Sequence, residues 1–330
     1  MGGTSTQQRF ARRGLLAAAA ILPLPALAQG SDPFPSRPVR LVLGFPPGSA
    51  ADVSARIIAA AMAGPLGQNI VVDNRPGAGS SVAAGQVARA AADGYTVFLG
   101  SVANTINHSL ARDLPFDFAR DFAPVVPLVS VPNILVVHPS VAATSVAELI
   151  ALAGRQPGSL FYGSSGVGTA PHLSGELFNL LAGVRMTHVP YPGSAQAVTD
   201  LVAGRVGVMF SPASTVLGHI REGRLRALAS TGAARAASAP ELPTMEEAGV
   251  AGFTSAVWFG LVVPAGTPAP VIARLAAAGR AALSNAETSR QLATQGFDIL
   301  PGGPDELRTL IAAAIAKWAR VIEASGARAG

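Results

Sequence analysis

One segment with the residue types of an anion site follows the first predicted strand. Gly48, Ser49 and Ala50 join that strand to the first predicted helix, and Asp52 lies in the first turn of the helix. The first backbone N–H groups of a helix have no acceptor within it, so a turn of small residues leaves them open to an anion. Asp52 could add a hydrogen bond at this end and complement the helix dipole. Taken alone, the segment would fit an ordinary strand-to-helix turn equally well.

A second segment of the same kind lies in the middle of the chain, where another predicted strand meets another predicted helix. Pro171 has the position of a first-turn proline, and three hydroxyl residues precede it. Two such loops could grip a carboxylate from opposite sides, although either alone could be a tight connection. The candidate ligand-binding residues of this segment are Ser164, Ser165, Gly166, Gly168, Thr169 and His172.

Signatures of enzymes and metal sites do not assemble in this sequence. Ser165 has Gly163 before it but Val167 where a nucleophile elbow needs glycine. The single lysine and the absence of a G-K-[ST] sequence exclude a P-loop. His172 and Glu176 are one helical turn apart and could bind a metal, but we interpret them as a helix-terminal histidine and a solvated carboxylate. We therefore predict no catalytic residue, no metal and no cofactor.

The elements that position the two loops follow from the alternation of short apolar runs with helical stretches. Strands at 39–45, 70–72 and 96–99 alternate with helices at 51–66 and 82–91, which predicts a βαβαβ unit with ligands at the carboxyl ends of a parallel sheet. A second set has strands at 161–164, 187–189, 206–210 and 225–230, with a helix from Pro171. Two amphipathic helices follow at 270–283 and 307–322.

Two long apolar segments, 125–138 and 257–264, interrupt this alternation of strands and helices and lie on either side of the second α/β set. Two crossings around an inserted unit are what a two-lobed clamp requires. We expect one discontinuous domain of residues 29–130 and 257–330 and a second domain of residues 131–256. Two independent domains in series are the alternative.

The N-terminus has the pattern of an export signal. Three arginines precede an apolar stretch that ends in the small-x-small sequence of residues 26–28, which predicts a signal peptide cleaved after Ala28. Arg12 and Arg13 also fit a twin-arginine signal, so the general secretory route and the twin-arginine route both remain open.

Composition excludes several other functions. The leader contains three of the 24 basic residues and no acid, so its removal lowers the net charge from +5 to +2. With no cluster of Lys or Arg elsewhere, the sequence gives no support to nucleic-acid or membrane-surface binding. The chain has no cysteine, which excludes disulfides, zinc–thiolate sites and a cysteine nucleophile.

Nine motifs in consecutive order resemble one family over essentially all of the mature chain. They are PSRPVRLV at 35–42, FPPG at 45–48, DNRPGAG at 73–79, DGYT at 93–96, RDFAPV at 120–125, YGSSGVGT at 162–169, HVPY at 188–191, PELPT at 240–244 and WFG at 258–260. The chain resembles the Bug-type receptors, the extracytoplasmic solute-binding subunits of tripartite tricarboxylate transporters.

The resemblance implies an α/β, type II-like, two-lobed periplasmic binding protein fold with two domains joined by two crossing segments. It also implies a periplasmic, monomeric receptor that binds a small organic carboxylate through the amides of both loops and works with integral-membrane permease subunits. Three residues depart from the usual family motifs. Ser49 stands in place of the usual glycine, Pro192 stands where the family often has a lysine, and Ser211 stands where it often has an aspartate. The last two departures remove charges near the cleft.

Other residues of the cleft would determine which carboxylate is bound. The candidates are Asn104, Asn133, Tyr191, Ser194 and Ser211. Asn133 could equally be a turn residue after Pro132. Two other functions remain open: a receptor that presents its ligand to a membrane histidine kinase, and a secreted carboxylate-processing enzyme.

Overall fold

Ten strands and ten α-helices follow Phe34 in this computed structural model, which describes residues 1–4, 34–111 and 113–328. The strands are β1 Val39–Leu43, β2 Ile70–Asn74, β3 Thr96–Ser101, β4 Phe122–Val137, β5 Phe161–Ser164, β6 Thr187–Pro190, β7 Val208–Pro212, β8 Arg226–Ser230, β9 Ala256–Pro264 and β10 Asp298–Ile299. The helices are α1 Ala50–Leu66, α2 Ser81–Val87, α3 Val102–Leu110, α4 Val146–Arg155, α5 Ala170–Ala182, α6 Ser194–Val202, α7 Ala213–Arg221, α8 Ala269–Ser284, α9 Ala286–Thr294 and α10 Pro304–Ser325.

The predicted signal peptide, residues 1–28, lies outside the described residues apart from its first four. Phe34 onward forms one compact unit. None of the described helices is both long enough and apolar enough to cross a membrane.

All the strands belong to one mixed sheet in which β4 is shared between two halves. The order is β2-β1-β3-β9-β4-β7-β5-β6, with β10 and β8 also paired to β4. Residues 122–132 of β4 pair with β9, whereas residues 133–137 pair with β7 and, in part, with β8. We call the strands joined to the start of β4 the first half-sheet (β2, β1, β3, β9, β10) and those joined to its end the second half-sheet (β8, β7, β5, β6).

Within each half, the strands of the predicted βαβ units pair in parallel, whereas the long strands β4 and β9 pair antiparallel to their neighbours. β1 pairs in parallel with β2 and β3, and β5 pairs in parallel with β6 and β7. β9 is antiparallel to both β3 and β4. The two apolar segments that interrupt the α/β rhythm are therefore β4 and β9, and their near-continuous apolar runs suit strands buried on both faces.

The predicted strands all exist, but the helix inventory was incomplete. The helix expected at 82–91 is the shorter α2, and the strand expected from Val206 begins at Val208. Five helices and one short strand were not predicted: α3, α4, α6, α7, α9 and β10. Three of these helices, α3, α6 and α7, begin at the candidate functional site.

Candidate functional site

The N-termini of five helices meet at one cavity at the carboxyl ends of the central strands. The cavity has a volume of about 360 Å³, its open mouth included. Ser49, Ser101, Thr169 and Pro212 are the N-caps of α1, α3, α5 and α7, and Ser194 is the first residue of α6. The cavity is lined by Phe45, Ser49, Ala50, Ala51, Ser101, Val102, Ala103, Ser165, Thr169, Ala170, Pro171, Ser194, Pro212, Val257 and Phe259.

The positive ends of these helix dipoles make the cavity favourable for an anion, although none of the described residues that line it has a charged side chain. The first N–H groups of each helix have no backbone acceptor within their own helix, so those that are not bonded to a capping side chain, as Asp52 N is to Ser49 Oγ, are available to a ligand. Among the described residues there is no group of three histidine, aspartate or glutamate side chains that could hold a metal ion.

The first loop, between β1 and α1, is fixed by a carboxylate that is turned away from the cavity. Asp52 accepts hydrogen bonds from Gly48 N (3.0 Å), Arg56 Nε (3.0 Å) and Asn74 Nδ2 (3.0 Å). Burial acts to raise the pKa of Asp52, but the hydrogen bonds from Arg56, Gly48 and Asn74 outweigh it and hold the pKa below its usual value. Asp52 therefore stays ionised and shapes the loop, while Ser49 and Ala50 line the cavity.

The second loop, between β5 and α5, is fixed by neutral groups. Thr169 Oγ1 donates to Gly166 O (2.6 Å), and Gly166 N donates to Ser164 Oγ (3.1 Å). Ser164 Oγ in turn lies 2.6 Å from His188 Nε2. Gly168 has φ +74°, and its N–H donates to His172 Nδ1 (3.3 Å).

Two stacked histidines lie behind this loop. The rings of His172 and His188 are 4.1 Å apart, and His188 also stacks on Tyr162 at 5.0 Å. Burial and the neighbouring His188 lower the pKa of His172 to about 3, and burial lowers the pKa of His188 to about 4. Both rings are neutral at physiological pH, which leaves His172 Nδ1 free to accept the N–H of Gly168.

Three hydroxyl groups of the lining have a proton available for a ligand. Among the described residues, neither the Ser165 nor the Ser194 hydroxyl has a hydrogen-bond partner, and Ser49 Oγ only accepts, from Asp52 N (3.3 Å). The other two lining hydroxyls are occupied. Thr169 donates to Gly166 O, and Ser101 Oγ donates to Asn104 Oδ1 (3.1 Å).

The other candidate residues surround the cavity without lining it. Asn104 accepts from Ser101 at the start of α3. The Ser211 hydroxyl bonds Thr215 Oγ1 (2.8 Å), and Asn133 Nδ2 donates to Ser174 Oγ (3.3 Å). Gly48, Asp52, Ser164, Gly168 and His172 support the two loops, whereas Gly166 and Tyr191 line a second cavity, which shares Phe45 and Ser165 with the first.

Sequence reasoning missed the contribution of β9 and of two helix starts to the lining. Val257 and Phe259 lie on one face of β9, and Ser101 and Pro212 are the N-caps of α3 and α7. The S-x-x-N spacing of Ser101 and Asn104 was the available signal for the start of α3, because a polar residue at N3 can accept the N-cap N–H.

The two halves of the molecule touch across the cavity mouth. A Cβ on Gly193, which precedes α6, would lie 2.5 Å from Pro46 Cγ in the first loop. A Cβ on Gly168 would lie 2.1 Å from Oδ1 of Asn107, a residue of α3. These approaches need glycine, so at both places a residue of the first half lies in direct contact with the backbone of the second.

Comparison with known proteins identifies the family. Residues 54–327 match the Tripartite tricarboxylate transporter family receptor, TctC. BugT of Bordetella pertussis is 36% identical over 300 residues, which cover 90% of this chain and 92% of BugT. A protein of the tcbD-tcbE intergenic region of Pseudomonas sp. strain P51 is 38% identical over 296 residues, 89% of this chain and 88% of that protein.

Solved structures share the fold at similar identity. R. palustris Rpa4515 with adipate superposes with a TM-score of 0.86 at 38% identity, covering 89% of this chain and 98% of that one. MatC of Rhodopseudomonas palustris with bound malate has a TM-score of 0.83 at 32% identity, covering 88% and 100%. The periplasmic binding protein BugD has a TM-score of 0.85 at 30% identity, covering 89% and 99%.

These relatives confirm the two-lobed periplasmic binding protein fold and the expectation of a solute-binding protein that is not an enzyme. The chain belongs to the TctC family of tripartite tricarboxylate transporter receptors and is a Bug-type solute-binding protein.

Proposed function

We propose that this protein captures a small organic carboxylate in the cavity and delivers it to the integral-membrane subunits of a tripartite tricarboxylate-type transporter. The observation that carries the proposal is the meeting of five helix N-termini and three available hydroxyls at one cavity without a charged lining residue. Relatives at 38% and 32% identity hold adipate and malate, both carboxylates.

A carboxylate that enters the cavity loses its hydrogen bonds to water, and hydrogen bonds to the protein must replace them. Each charge-assisted hydrogen bond contributes about 1.5–3 kcal/mol. Ser49 and the first N–H groups of α1 supply donors from one half of the molecule, and Ser165, Ser194 and the first N–H groups of α5 supply them from the other. Neither set is complete alone, so binding favours closure of the two halves.

The proposed moving bodies are residues 29–130 with 257–330 and residues 131–256. Support comes from β4, which changes partners between Pro132 and Asn133, and from the start of β9 at Ala256. Thr231 links these two places. Its Oγ1 lies 3.0 Å from Asn133 O and 2.5 Å from Ser255 O and can donate its proton to either oxygen. We propose that the hinge lies at this junction.

The proposed site of action is the periplasm. Residues 1–28 would direct export, by the general secretory or the twin-arginine route, and the mature protein would act as a monomer. N-terminal sequencing of the protein purified from periplasm should begin at residue 29.

Binding and closure can be measured together on the mature chain. Titration calorimetry with hexanoate, benzoate, adipate, terephthalate and malate should show binding of at least one of them. The tightest binder of this panel should lower the scattering radius and change the emission of Trp258, which lies on β9 beside the cavity lining. A Trp318→Phe background isolates that emission. Tight binding with both signals unchanged would contradict the closing clamp.

Delivery needs a separate experiment. Vesicles that contain the permease subunits should accumulate the labelled ligand only when this protein is added. A Ser165→Ala/Ser194→Ala variant, which loses two hydroxyl donors, should support little uptake. Uptake at the same rate without the protein would overturn the transport role while leaving carboxylate binding intact.

A further inference from the structure

A turn in the left-handed backbone region lies where the two halves of the molecule meet. Ala78, Gly79 and Ser80 have φ +45°, +56° and +79°, and among the described residues Ala78 and Ser80 are the two other than glycine with positive φ. L-residues rarely adopt this conformation, and it persists only where the surrounding contacts hold it. We call residues 78–80 the left-handed turn. It borders the second cavity, which the second loop also lines.

Side chains of α3 hold the left-handed turn in place. Asn104 and Asn107 lie three residues apart on this helix and are 1% and 5% exposed. Asn107 Nδ2 donates to Gly79 O (3.0 Å), and Asn104 Nδ2 donates to Ser80 Oγ (3.5 Å). The position of the turn therefore depends on two buried amides of a neighbouring helix.

The second loop packs against both the left-handed turn and Asn107. A Cβ on Gly79 would lie 2.8 Å from Val167 O, and a Cβ on Gly168 would lie 2.1 Å from Asn107 Oδ1. The amide of Asn107 thus holds the turn with its N–H group and contacts the backbone of the second half with its oxygen. Asn107 itself lines neither of the two cavities.

From these contacts we infer that Asn107 is a positioning residue for closure, which stabilises the closed arrangement of the two halves without touching the ligand. Gly168 packs on its side chain when the halves are closed, and opening separates the two. A side chain that interacts only in the closed form shifts the open–closed equilibrium, so it raises the affinity for every ligand by the same factor. This inference rests on the proposed function, since it names a residue that controls closure over the same cavity.

Asn107→Ala tests the inference on the mature chain in the Trp318→Phe background. The affinity for each ligand of the panel that binds should fall by the same factor, about tenfold or about 1.4 kcal/mol. The loss should appear in the dissociation rate, measured by stopped-flow emission of Trp258, because the open form that a ligand enters lacks the contact. His108→Ala is the control on the same helix. His108 lines neither cavity, so the variant should bind as the wild type does.

A double-mutant cycle separates this role from a general effect on stability. Gly168→Ala places a Cβ against Asn107 Oδ1, and Asn107→Ala removes that oxygen. Adding Gly168→Ala to the Asn107→Ala variant should therefore reduce affinity less than about tenfold, compared with about a hundredfold in the wild type. Losses that multiply in the double variant would overturn the inference.

Gly79→Ala tests the same contact from the left-handed turn and serves if circular dichroism shows Asn107→Ala to be unfolded. Its Cβ would lie 2.8 Å from Val167 O, so affinity should again fall about tenfold through the dissociation rate. Gly67→Ala is the matched control, because Gly67 has φ +82° and a Cβ there meets nothing within 4 Å. It should bind as the wild type does.

Failure of the inference and of the proposed function can be told apart. Unchanged affinity in folded Asn107→Ala or Gly79→Ala would overturn the inference and leave a carboxylate receptor standing. A loss found in the association rate, or one that differs between ligands by more than about threefold, would do the same, because it would mean that Asn107 acts on the ligand itself. Absence of binding by the wild type to every member of the panel would refute both.

Discussion

The two loops that enclose the cavity do the same task by opposite physical means. The first loop is fixed by an ionised carboxylate, Asp52, which gathers Gly48, Arg56 and Asn74 around it. The second loop is fixed by neutral groups, with His172 accepting the N–H of Gly168 against a stack of buried rings. Both place backbone donors at the cavity while Asp52 and His172 stay out of its lining.

The difference shows why charge near a carboxylate site does not identify a ligand contact. The side chain of Arg56 is 55% exposed, so its ion pair with Asp52 is screened by solvent and contributes little by itself. His172 and Gly168 are held more tightly, since they lie among buried atoms that leave no room for another group. The second loop should therefore tolerate substitution less than the first.

The largest contrast is expected between Gly48→Ala and Gly168→Ala. The two glycines have almost the same φ, +76° and +74°, so the backbone strain of alanine is matched at about 1–2 kcal/mol. A Cβ on Gly48 meets nothing within 4 Å, whereas a Cβ on Gly168 would lie 2.1 Å from Asn107 Oδ1. In calorimetry with the tightest binder of the panel, Gly168→Ala should lose about a hundredfold in affinity, about 2.7 kcal/mol, and Gly48→Ala less than tenfold.

Circular dichroism should show that both alanine variants remain folded. Valine at position 168 should abolish binding altogether, because its larger side chain also fills the approach to Asn107. Equal losses for Gly48→Ala and Gly168→Ala would mean that backbone strain alone matters and that the two loops are equivalent.

The second contrast concerns stability in acid. The pKa of His172 in the folded protein is about 3, below its ordinary value of 6.5. As the pH falls below 6.5, the unfolded chain takes up a proton that the folded protein does not, so the free energy of unfolding decreases by up to about 1.4 kcal/mol per pH unit. His172→Asn, which keeps an acceptor near Gly168 N, should lose about 2 kcal/mol less than the wild type between pH 7 and pH 5.

Asp52→Asn is the matched control from the first loop. The pKa of Asp52 is lowered in the folded protein, so its stabilising effect is present above the unfolded pKa and is lost only as the pH falls through the folded pKa. The change between pH 7 and pH 5 should therefore equal that of the wild type. Urea titrations at both pH values measure the free energy of unfolding. If His172→Asn lost as much stability between pH 7 and pH 5 as the wild type, the titration of His172 would not be the cause of the loss.

The same comparison shows what the sequence could and could not predict. The alternation of strands and helices in the βαβ units and the positions of both candidate loops could be predicted from apolar periodicity and from the small residues at strand ends. The bracing groups could not, because His172 and His188 are sixteen residues apart in sequence and meet only through the parallel pairing of β5 with β6. The helices α6 and α7 were missed because each is only nine residues long and begins in a stretch that contains proline and serine, which is typical of a loop.

A smaller effect should appear where the two loops meet at the mouth. Gly193 has φ −177°, which any residue adopts, so Gly193→Ala introduces no backbone strain. Its Cβ would lie 2.5 Å from Pro46 Cγ of the first loop, which should hinder closure and reduce affinity about tenfold. Calorimetry on Gly193→Ala/Pro46→Ala should show recovery, because the second change removes the obstructing carbon.

Gly218→Ala is the control, since a Cβ at that position in α7 meets nothing within 4 Å. Its affinity should equal that of the wild type. Normal affinity in Gly193→Ala, or failure of Pro46→Ala to rescue it, would show that the mouth contact does not limit closure.

The smallest expected effect is the pH dependence of affinity, which should vary less than twofold between pH 6 and pH 9. Asp52 stays ionised there because its pKa is lowered, and His172 and His188 stay neutral with pKa values of about 3 and about 4. In the part of the chain that the structure describes, no ionisable side chain lines the cavity, so no side chain in contact with a ligand changes charge over this range. Affinity should weaken only as the ligand's own carboxyl takes up a proton near pH 4. Titration calorimetry is the measurement, and a tenfold loss from pH 6 to pH 8 would mean that an imidazolium holds the ligand and that the second loop, like the first, depends on charge.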